Sequence, residues 1–157
     1  MLASNKRSVK TKKIIGTTDR IDFSDFGFEN VKCKIDTGAM TSSIHCHEVR
    51  RQRDDQGEYI TFKVLDPSHP QFRNRSVKVR DFVERKIRNS FGHSEYRYVV
   101  RTRVTLFGKT FISEFSLADR EKMKYPVLLG KRLLTGRFLV DVAQRNLSYK
   151  HKKQLEL

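Results

Sequence analysis

A strand that runs into a tight polar turn at residues 31–38 constrains the fold of this 157-residue chain more than any other segment. Val31, Cys33 and Ile35 alternate with lysines, which predicts a strand with one apolar face. The strand leads into Asp36-Thr37-Gly38, and Asp and Gly are common turn residues. A further strand is predicted at residues 43–50. The segment therefore predicts a carboxylate on a sharp turn between two strands.

This Asp-Thr-Gly turn (residues 36–38) occurs once in the chain. A turn of this kind, leaving an apolar strand, can carry the carboxylate of an aspartic protease. Such an enzyme needs two carboxylates that share one proton, because like charges about 3 Å apart cannot both ionise. A chain with one such turn must therefore dimerise to be active, or it is not that enzyme.

Size and charge limit the remaining classes. The chain is long enough for one well-buried domain and too short for two, so we expect a flexible basic arm at residues 1–12, a domain at 13–148 and a polar tail at 149–157. The net charge of +15 predicts an anionic partner: nucleic acid, an acidic membrane surface or an acidic protein. No stretch approaches the roughly 20 apolar residues that span a bilayer, and the amino terminus lacks the apolar run of a signal peptide. A soluble, cytoplasmic protein is expected.

Many short strands separated by turn residues predict an all-β barrel or sandwich. Alternation places Phe111, Phe115 and Leu117 on one face of a late strand. Helix signals are weak except for a short turn of helix at residues 130–134. The other predicted strands cover residues 14–23, 59–65, 77–87 and 96–106, and a charged hairpin loop is predicted at residues 51–57.

Four ordered blocks of sequence carry a resemblance to a known family. They are Lys-Ile-Asp-Thr-Gly-Ala with Thr-Ser at 34–42, Arg-Asn-Ser-Phe-Gly-His at 88–93 with Glu-Tyr-Arg-Tyr at 95–98, Leu-Ala-Asp-Arg at 117–120 with Met123, and Leu-Leu-Gly-Lys-Arg at 128–132 running to Phe-Leu-Val-Asp at 138–141. From about residue 13 to residue 147 the chain resembles the family named ATP-dependent zinc proteases, now regarded as retropepsin-like. The resemblance implies a closed retropepsin-like (acid protease) β-barrel with one short helix near the C-terminus.

The resemblance also implies an aspartic endopeptidase that acts as a homodimer. Asp36 of each subunit would contribute to the dyad, Thr37 would hydrogen-bond across the dimer axis, and Gly38 would permit the tight turn. The turn is expected to pair with a late apolar-apolar-Gly segment, which Leu128-Leu129-Gly130 fits. The hairpin around residues 89–93 is the expected flap. The implied substrate-binding residues are Ala39, Arg88, Asn89, Ser90, Gly92, Arg97, Leu129 and Gly130.

The resembled family is associated with an ATP-grasp ligase that adds glutamate tails to a ribosomal protein. The resemblance therefore points to an acidic, glutamate-tailed substrate and to a functional link with that ligase. Arg88 and Arg97 could recognise the carboxylates of such a substrate. Alternatively, these arginines could simply pair with nearby acidic side chains of the chain itself, namely Asp81, Glu84 or Glu95. In two departures from the family, Met40 and Lys131 stand where relatives usually carry Arg.

Neither ATP nor zinc binding is supported by a motif. Gly108-Lys109-Thr110 lacks the leading Gly of a phosphate loop, since position 103 is Arg, and it is predicted to turn a hairpin. His45 and His47 form the densest ligand group, but Arg at position 51 excludes His-Glu-x-x-His, and we interpret them as strand residues near the site mouth. No metal and no cofactor is expected. Cys33 and Cys46 are predicted to be buried free thiols.

Two other classes remain open. Tyr96-Arg97-Tyr98 could stack bases while arginines follow the phosphates of a single-stranded nucleic acid, which would make the chain a basic β-barrel that binds nucleic acid. Alternatively, a retropepsin-like module could bind acidic tails without cutting them. An obligate monomer would favour this second alternative, because one Asp36 cannot form a dyad.

Overall fold

The described residues of this computed structural model, 11–88, 91–120 and 123–156, form a mostly β fold, as the sequence predicts. A short helix follows the Leu-Leu-Gly segment at the predicted place. The strands are β1 (Lys13–Ile15), β2 (Thr18–Phe23), β3 (Phe28–Ile35), β4 (Ser42–Asp54), β5 (Gly57–Val64), β6 (Ser76–Val79), β7 (Phe82–Arg88), β8 (Ser94–Leu106), β9 (Lys109–Ala118), β10 (Val127–Leu129) and β11 (Phe138–Val140). The α-helices are α1 (Lys131–Leu134) and α2 (Leu147–Leu155), and a short 3-10 helix covers Ser24–Phe26.

A short strand, β10, closes the nine-stranded sheet into a ring. It runs parallel to β3, with Leu129 opposite Ile35, and antiparallel to β4, with Val127 opposite Ile44. The pairing path β10–β3–β2–β8–β9–β4 thus returns to β10. β5 and β6 continue from β4, β7 pairs with β8, and β1 pairs with β11 in a separate two-stranded sheet. The Asp-Thr-Gly turn follows β3, so the closure of the ring also brings β10 to that turn.

Apolar side chains from the alternating strands fill the ring. Phe115 is fully buried and its ring meets that of Phe23 edge to face, with centroids 5.1 Å apart. Leu117 is buried on the same face and Phe111 packs against the core, as the alternation in β9 predicts. Cys33 and Cys46 are buried free thiols, also as predicted, and burial raises the pKa of both.

Three predicted segments differ in detail. The strand expected at 14–23 is two strands, β1 and β2, interrupted at residues 16–17, where the chain bends at Thr17. At Gly16 a Cβ would lie 2.1 Å from the carbonyl oxygen of Gln144, so the two backbones can approach only because this residue is glycine. The strand expected at 77–87 is interrupted between β6 and β7. The charged loop expected at 51–57 is mostly strand: β4 and β5 continue to a turn at residues 55–56, and cross-strand ion pairs, Arg51 with Glu58 among them at 2.7 Å, stabilise the exposed hairpin.

Helix α2 occupies most of the segment expected to be a polar tail. Its amino-terminal end is fixed by Asp19 of β2, whose buried carboxylate accepts the N–H groups of Ser148 and Tyr149 at 2.9 and 3.1 Å. A carboxylate at this position accepts hydrogen bonds from helix N–H groups that have no partner within the helix. Its negative charge also interacts favourably with the positive, amino-terminal end of the helix dipole. The arm expected at residues 1–12 lies mostly outside the described residues. Among the described residues, no helix has the length and apolar character needed to cross a membrane.

Candidate active site

The Asp-Thr-Gly turn holds its own carboxylate. Asp36 Oδ1 accepts the N–H of Gly38 at 2.8 Å, and the Asp36 carbonyl accepts the N–H of Ala39 at 3.3 Å. The side chain of Asp36 is partly exposed, and no residue in the described ranges donates a hydrogen bond to Oδ2. One carboxylate oxygen is thereby oriented by the backbone while the other stays available to a ligand or a second carboxylate.

The Leu-Leu-Gly segment (residues 128–130) and the first residue of α1 pair with this turn on both sides, as the resemblance implied. Asp36 N–H donates to the carbonyl of Leu129 at 2.9 Å. One residue beyond the segment, Lys131 N–H donates to the carbonyl of Ala39 at 2.7 Å. The two bonds lie before and after the Asp-Thr-Gly turn, so they fix the backbone on either side of the carboxylate.

Gly130 is required by the close approach of two backbones. A Cβ at this position would lie 2.8 Å from the Ala39 carbonyl oxygen and 2.9 Å from the Thr41 carbonyl carbon. Gly130 N–H also donates to the hydroxyl of Ser42 at 3.0 Å, and the Ser42 carbonyl accepts the hydroxyl of Ser116 at 3.3 Å. Ser42 and Ser116 are buried, so this polar chain ties β4 and β9 to the base of the site.

The predicted flap corresponds to the hairpin of β7 and β8, in which Arg88 pairs with Ser94. Asn89 and Ser90 lie outside the described residues, so their expected roles stay predictions. Gly92 has a φ of +79° with nothing within 4 Å of its would-be Cβ, so glycine is favoured there by conformation alone.

The two arginines proposed from the sequence lie at this hairpin. Arg97 Nε donates to Glu95 Oε1 at 2.6 Å, so Arg97 makes one of the acidic pairings that the sequence left open. Arg88 is exposed on the hairpin. An exposed ion pair such as that of Arg97 contributes little stability and can be exchanged for a ligand carboxylate.

His45 is buried, at 3% exposure, rather than placed at a site mouth. Its Nδ1 accepts the backbone N–H of Arg120 at 2.8 Å, so its proton sits on Nε2, which lies 2.6 Å from Asp66 Oδ2. Asp66 Oδ1 in turn accepts the N–H of Ser68 at 2.7 Å and the Ser68 hydroxyl. The His45 N–H donates to the Pro126 carbonyl at 2.8 Å. Both ends of the loop between β9 and β10 are therefore fixed to one histidine.

The pairing of Asp66 predicts a specific acid sensitivity. Hydrogen bonds from Ser68, the hydroxyl first, lower the pKa of Asp66 below its usual value. A lowered folded-state pKa contributes stability that is complete above the unfolded pKa of about 3.9 and is lost as pH falls through the folded value.

We expect Asp66→Asn to lower the free energy of unfolding at pH 7 by about 1–3 kcal/mol and to flatten its decline between about pH 5 and pH 2. Urea unfolding at a series of pH values measures both effects. Asp55→Asn, in the exposed β4–β5 turn, is the control and should match the wild type. Parallel pH profiles for Asp66→Asn and the wild type would contradict this assignment.

No role was predicted for Arg120 from the sequence, although it belongs to the third block that resembles the family. Its Nε donates to the carbonyl of Tyr125 at 3.2 Å. Burial lowers the pKa of the Arg120 guanidinium, Arg97 acts in the same direction, and Asp36 acts in the opposite one. Arg120 is therefore within electrostatic range of both Arg97 and the Asp36 carboxylate. The partial burial of Arg120, in the loop after β9, points to a role for this residue. Hydrophobic periodicity in the sequence does not predict that burial.

The histidines and the Gly-Lys-Thr sequence serve structural roles. His47 Nδ1 lies 2.7 Å from the Leu65 carbonyl oxygen, and its ring packs near Phe72. In residues 11–88, 91–120 and 123–156, no group of three or more His, Cys, Asp or Glu side chains is arranged to hold a metal ion. Gly108 and Lys109 lie where β8 turns into β9, as predicted, and no helix begins there.

A ring-like sheet in which an apolar-apolar-Gly segment holds an Asp-Thr-Gly turn defines the retropepsin-like class. The RimB-like family, described as "Retropepsin-like aspartic endopeptidase RimB", matches residues 14–151. The chain belongs to this family. The family description names an aspartic endopeptidase, which confirms the retropepsin-like part of the resemblance and gives no support to the zinc and ATP of the older family name.

Longer proteins contain a similar segment. A protein of Desulfotalea psychrophila named "Probable alpha-L-glutamate ligase" is 35% identical over 136 residues, which cover 84% of this chain and 28% of that protein. A protein of the same name from Parasynechococcus marenigrum is 34% identical over 134 residues, covering 83% and 28%. The chain therefore spans less than a third of these curated relatives.

A solved structure shares the fold. The crystal structure of a Legionella pneumophila protein of unknown function superposes with a TM-score of 0.71 and 22% sequence identity, covering 88% of this chain and 99% of that one. At this identity the likeness shows a common fold alone.

Proposed function

We propose that this chain is one subunit of a homodimeric aspartic-type endopeptidase, with one Asp-Thr-Gly turn per subunit. The observation that carries the proposal is the fixed turn: Asp36 and Ala39 are hydrogen-bonded to Leu129 and Lys131, while Asp36 Oδ2 receives no bond from the described residues. Membership of a family of aspartic endopeptidases supports the same chemistry. The motif occurs once per chain, so a dyad requires two chains.

Exposed apolar residues support dimerisation. Ile14 of β1 lies opposite Leu139 of β11, and the two are 47% and 55% exposed. Met40, next to the Asp-Thr-Gly turn, is 55% exposed. Covering these side chains with a second subunit would remove apolar surface from water, at Met40 directly beside the Asp-Thr-Gly turn.

In the proposed mechanism, the two Asp36 carboxylates share one proton and hold one water. One carboxylate acts as general base towards that water while its protonated partner polarises the scissile carbonyl, and the pair titrates as a unit. Thr37 of each subunit hydrogen-bonds across the dimer axis, and Ala39 leaves room for the substrate. The β7–β8 hairpin closes over the substrate and excludes water.

An acidic, glutamate-tailed protein is the proposed substrate. The net charge of +15 favours an anionic partner, and curated relatives that contain a similar segment carry the name of a glutamate ligase. Arg88 and Arg97 on the hairpin would meet the substrate carboxylates, with Arg97 exchanging its pair with Glu95. We also propose a functional link between this chain and a ligase that makes such tails. The proposed location of the protein is the cytoplasm.

The proposal is tested by incubating the wild type, Asp36→Asn and the control Asp55→Asn with a peptide that ends in several glutamates. Products are read by mass spectrometry, with and without a chelator. Cleavage that survives chelation in the wild type and the control, and that is lost in Asp36→Asn, supports the aspartic mechanism. Chelator-sensitive cleavage that persists in Asp36→Asn would refute it. Peptide binding without cleavage by any protein would favour the non-catalytic module.

A further inference from the structure

Arg120 is a partly buried arginine near the candidate site, and most of its side-chain donors have no acceptor among residues 11–88, 91–120 and 123–156. Arg120 uses Nε to donate to the Tyr125 carbonyl at 3.2 Å. Its two terminal amino groups have no hydrogen-bond partner within the described residues, and it forms no ion pair with them. A guanidinium removed in part from water is costly unless an acceptor satisfies it. The unused donors therefore suit an anion that arrives from outside.

The position of Arg120 is set by buried contacts rather than by its own side chain. Its backbone N–H donates to His45 Nδ1 at 2.8 Å, and His45 is held by Asp66 from the other side. At the other end of the same loop, Pro126 is bonded to the His45 backbone. An arginine on a loop fixed at both ends loses little further freedom when it binds, which favours specific recognition.

The charges around Arg120 are those of the candidate site. Arg97 lies two residues before Val99, whose partner in β9 is Ser116, and Arg120 lies four residues after Ser116, so both arginines sit at the same end of the β8–β9 pair. Asp36 and Arg97 are the charged side chains that act on the Arg120 guanidinium. Arg120 is thus within electrostatic range of a second cation, Arg97, and of the carboxylate at which the proposed substrate would be cut.

The groove and the two buried thiols are weaker candidates for a functional site than Arg120. The polar groove between β2 and the segment 70–73 has a volume of about 850 Å³. Among the described residues that line it, no buried charged side chain lacks a partner. The buried thiols Cys33 and Cys46 have no access to solvent that would allow chemistry. For Arg120, the hydrogen bonds, the partial burial and the neighbouring charges all indicate a binding site for an anion.

We infer that Arg120 determines specificity by binding, through its terminal amino groups, a substrate side-chain carboxylate adjacent to the bond cut at Asp36. This inference rests on the proposed peptidase function and adds to it the residue that reads the acidic side chain. The planar fork of a guanidinium donates two parallel hydrogen bonds to a carboxylate, which a lysine cannot reproduce. His45 acts as a positioning residue by holding the Arg120 backbone.

The test compares two peptides that differ only in glutamate against glutamine at the residues flanking the cleaved bond. In Arg120→Gln we expect kcat/KM for the glutamate peptide to fall by about tenfold to a hundredfold, the range for a charge-assisted hydrogen bond. The glutamine peptide should change by less than about threefold, because an amide forms no ion pair with the guanidinium. Arg120→Lys should recover only part of the preference.

Arg103→Gln is the matched control, since it removes one positive charge from the same strand, β8, that carries Arg97, at a side chain that is 66% exposed. It should leave the ratio of the two peptides unchanged. Peptide affinity is measured in parallel in an Asp36→Asn background, where no cleavage interferes. There, too, Arg120→Gln should weaken binding of the glutamate peptide selectively.

The outcomes separate this inference from the function on which it rests. Equal loss on both peptides, or no loss on either, in a folded Arg120→Gln protein overturns the specificity role while leaving the peptidase intact. A wild type that cuts neither peptide refutes the peptidase. In that case selective weakening of glutamate-peptide binding by Arg120→Gln would still establish carboxylate recognition, and its absence would overturn it.

Discussion

Asp36→Asn is expected to reduce peptide cleavage by about a thousandfold or more, because an amide can neither accept a proton as general base nor share one with its partner. The substitution changes the side chain by one atom type, and Asn can still accept the Gly38 N–H that orients the turn. The folded state should therefore survive. Thermal unfolding within a few degrees of the wild type, together with lost cleavage, is the expected pair of results.

The same variant tests whether two chains build one site. A ninefold excess of Asp36→Asn, allowed to exchange subunits with a fixed amount of wild type, should lower the measured activity to about a tenth, because random pairing leaves few dimers with two carboxylates. The same excess of the active control Asp55→Asn should instead raise total activity. Undiminished wild-type activity in the Asp36→Asn mixture would show that each chain acts alone and would remove the dyad.

The elements that sequence predicted well are those whose causes are local. The strand into Asp36 alternates apolar and polar residues, and its turn chemistry is contained in three consecutive residues. The face shared by Phe115 and Leu117 follows from a period of two. The pairing of Leu129 with the turn is a long-range contact, and it was reached through family resemblance rather than through any pattern in the residues themselves.

Elements whose causes lie far apart in the chain were missed. Helix α2 begins where Asp19 caps it, and the capping residue is 129 positions away from Ser148. The exposed end of the β4–β5 hairpin is rich in charge, so it looked like a loop, although Glu58 of β5 pairs with Arg51 and Arg53 of β4 across the two strands. The secondary-structure propensities of neighbouring residues do not predict a capping residue or an ion-pair partner that is brought into contact only by folding.

The candidate site shows the same division. Asp36 and Gly38 could be singled out from a short motif, whereas Gly130 was reached through the family resemblance. The bond from Arg120 to His45 joins residues 75 positions apart, and it exists because β4 runs parallel to β9 with His45 opposite Ala118. That register is a property of the closed ring. The residue proposed here to read the substrate therefore became visible only with the strand order.

Gly130→Ala is expected to damage the site more than the fold. The added Cβ would meet the Ala39 carbonyl oxygen at 2.8 Å and the Thr41 carbonyl carbon at 2.9 Å, and both are backbone atoms that cannot rotate away. The two segments must separate, which strains the bonds from Asp36 to Leu129 and from Lys131 to Ala39. We expect a loss of about 1–3 kcal/mol in the free energy of unfolding.

The expected loss of activity in Gly130→Ala is about a hundredfold, because displacement of a catalytic group by about 1 Å has effects of that size. Gly108→Ala is the control: this glycine sits in the β8–β9 turn with a φ of +71° and open space around it, so alanine there costs about 1–2 kcal/mol of backbone strain without touching Asp36. Urea unfolding and cleavage assays on both variants separate the two effects. If the two variants lose stability equally but only Gly130→Ala loses cleavage, the contact between the Leu-Leu-Gly segment and the turn fixes the carboxylate; if Gly130→Ala cleaves at the wild-type rate, the turn does not depend on that contact.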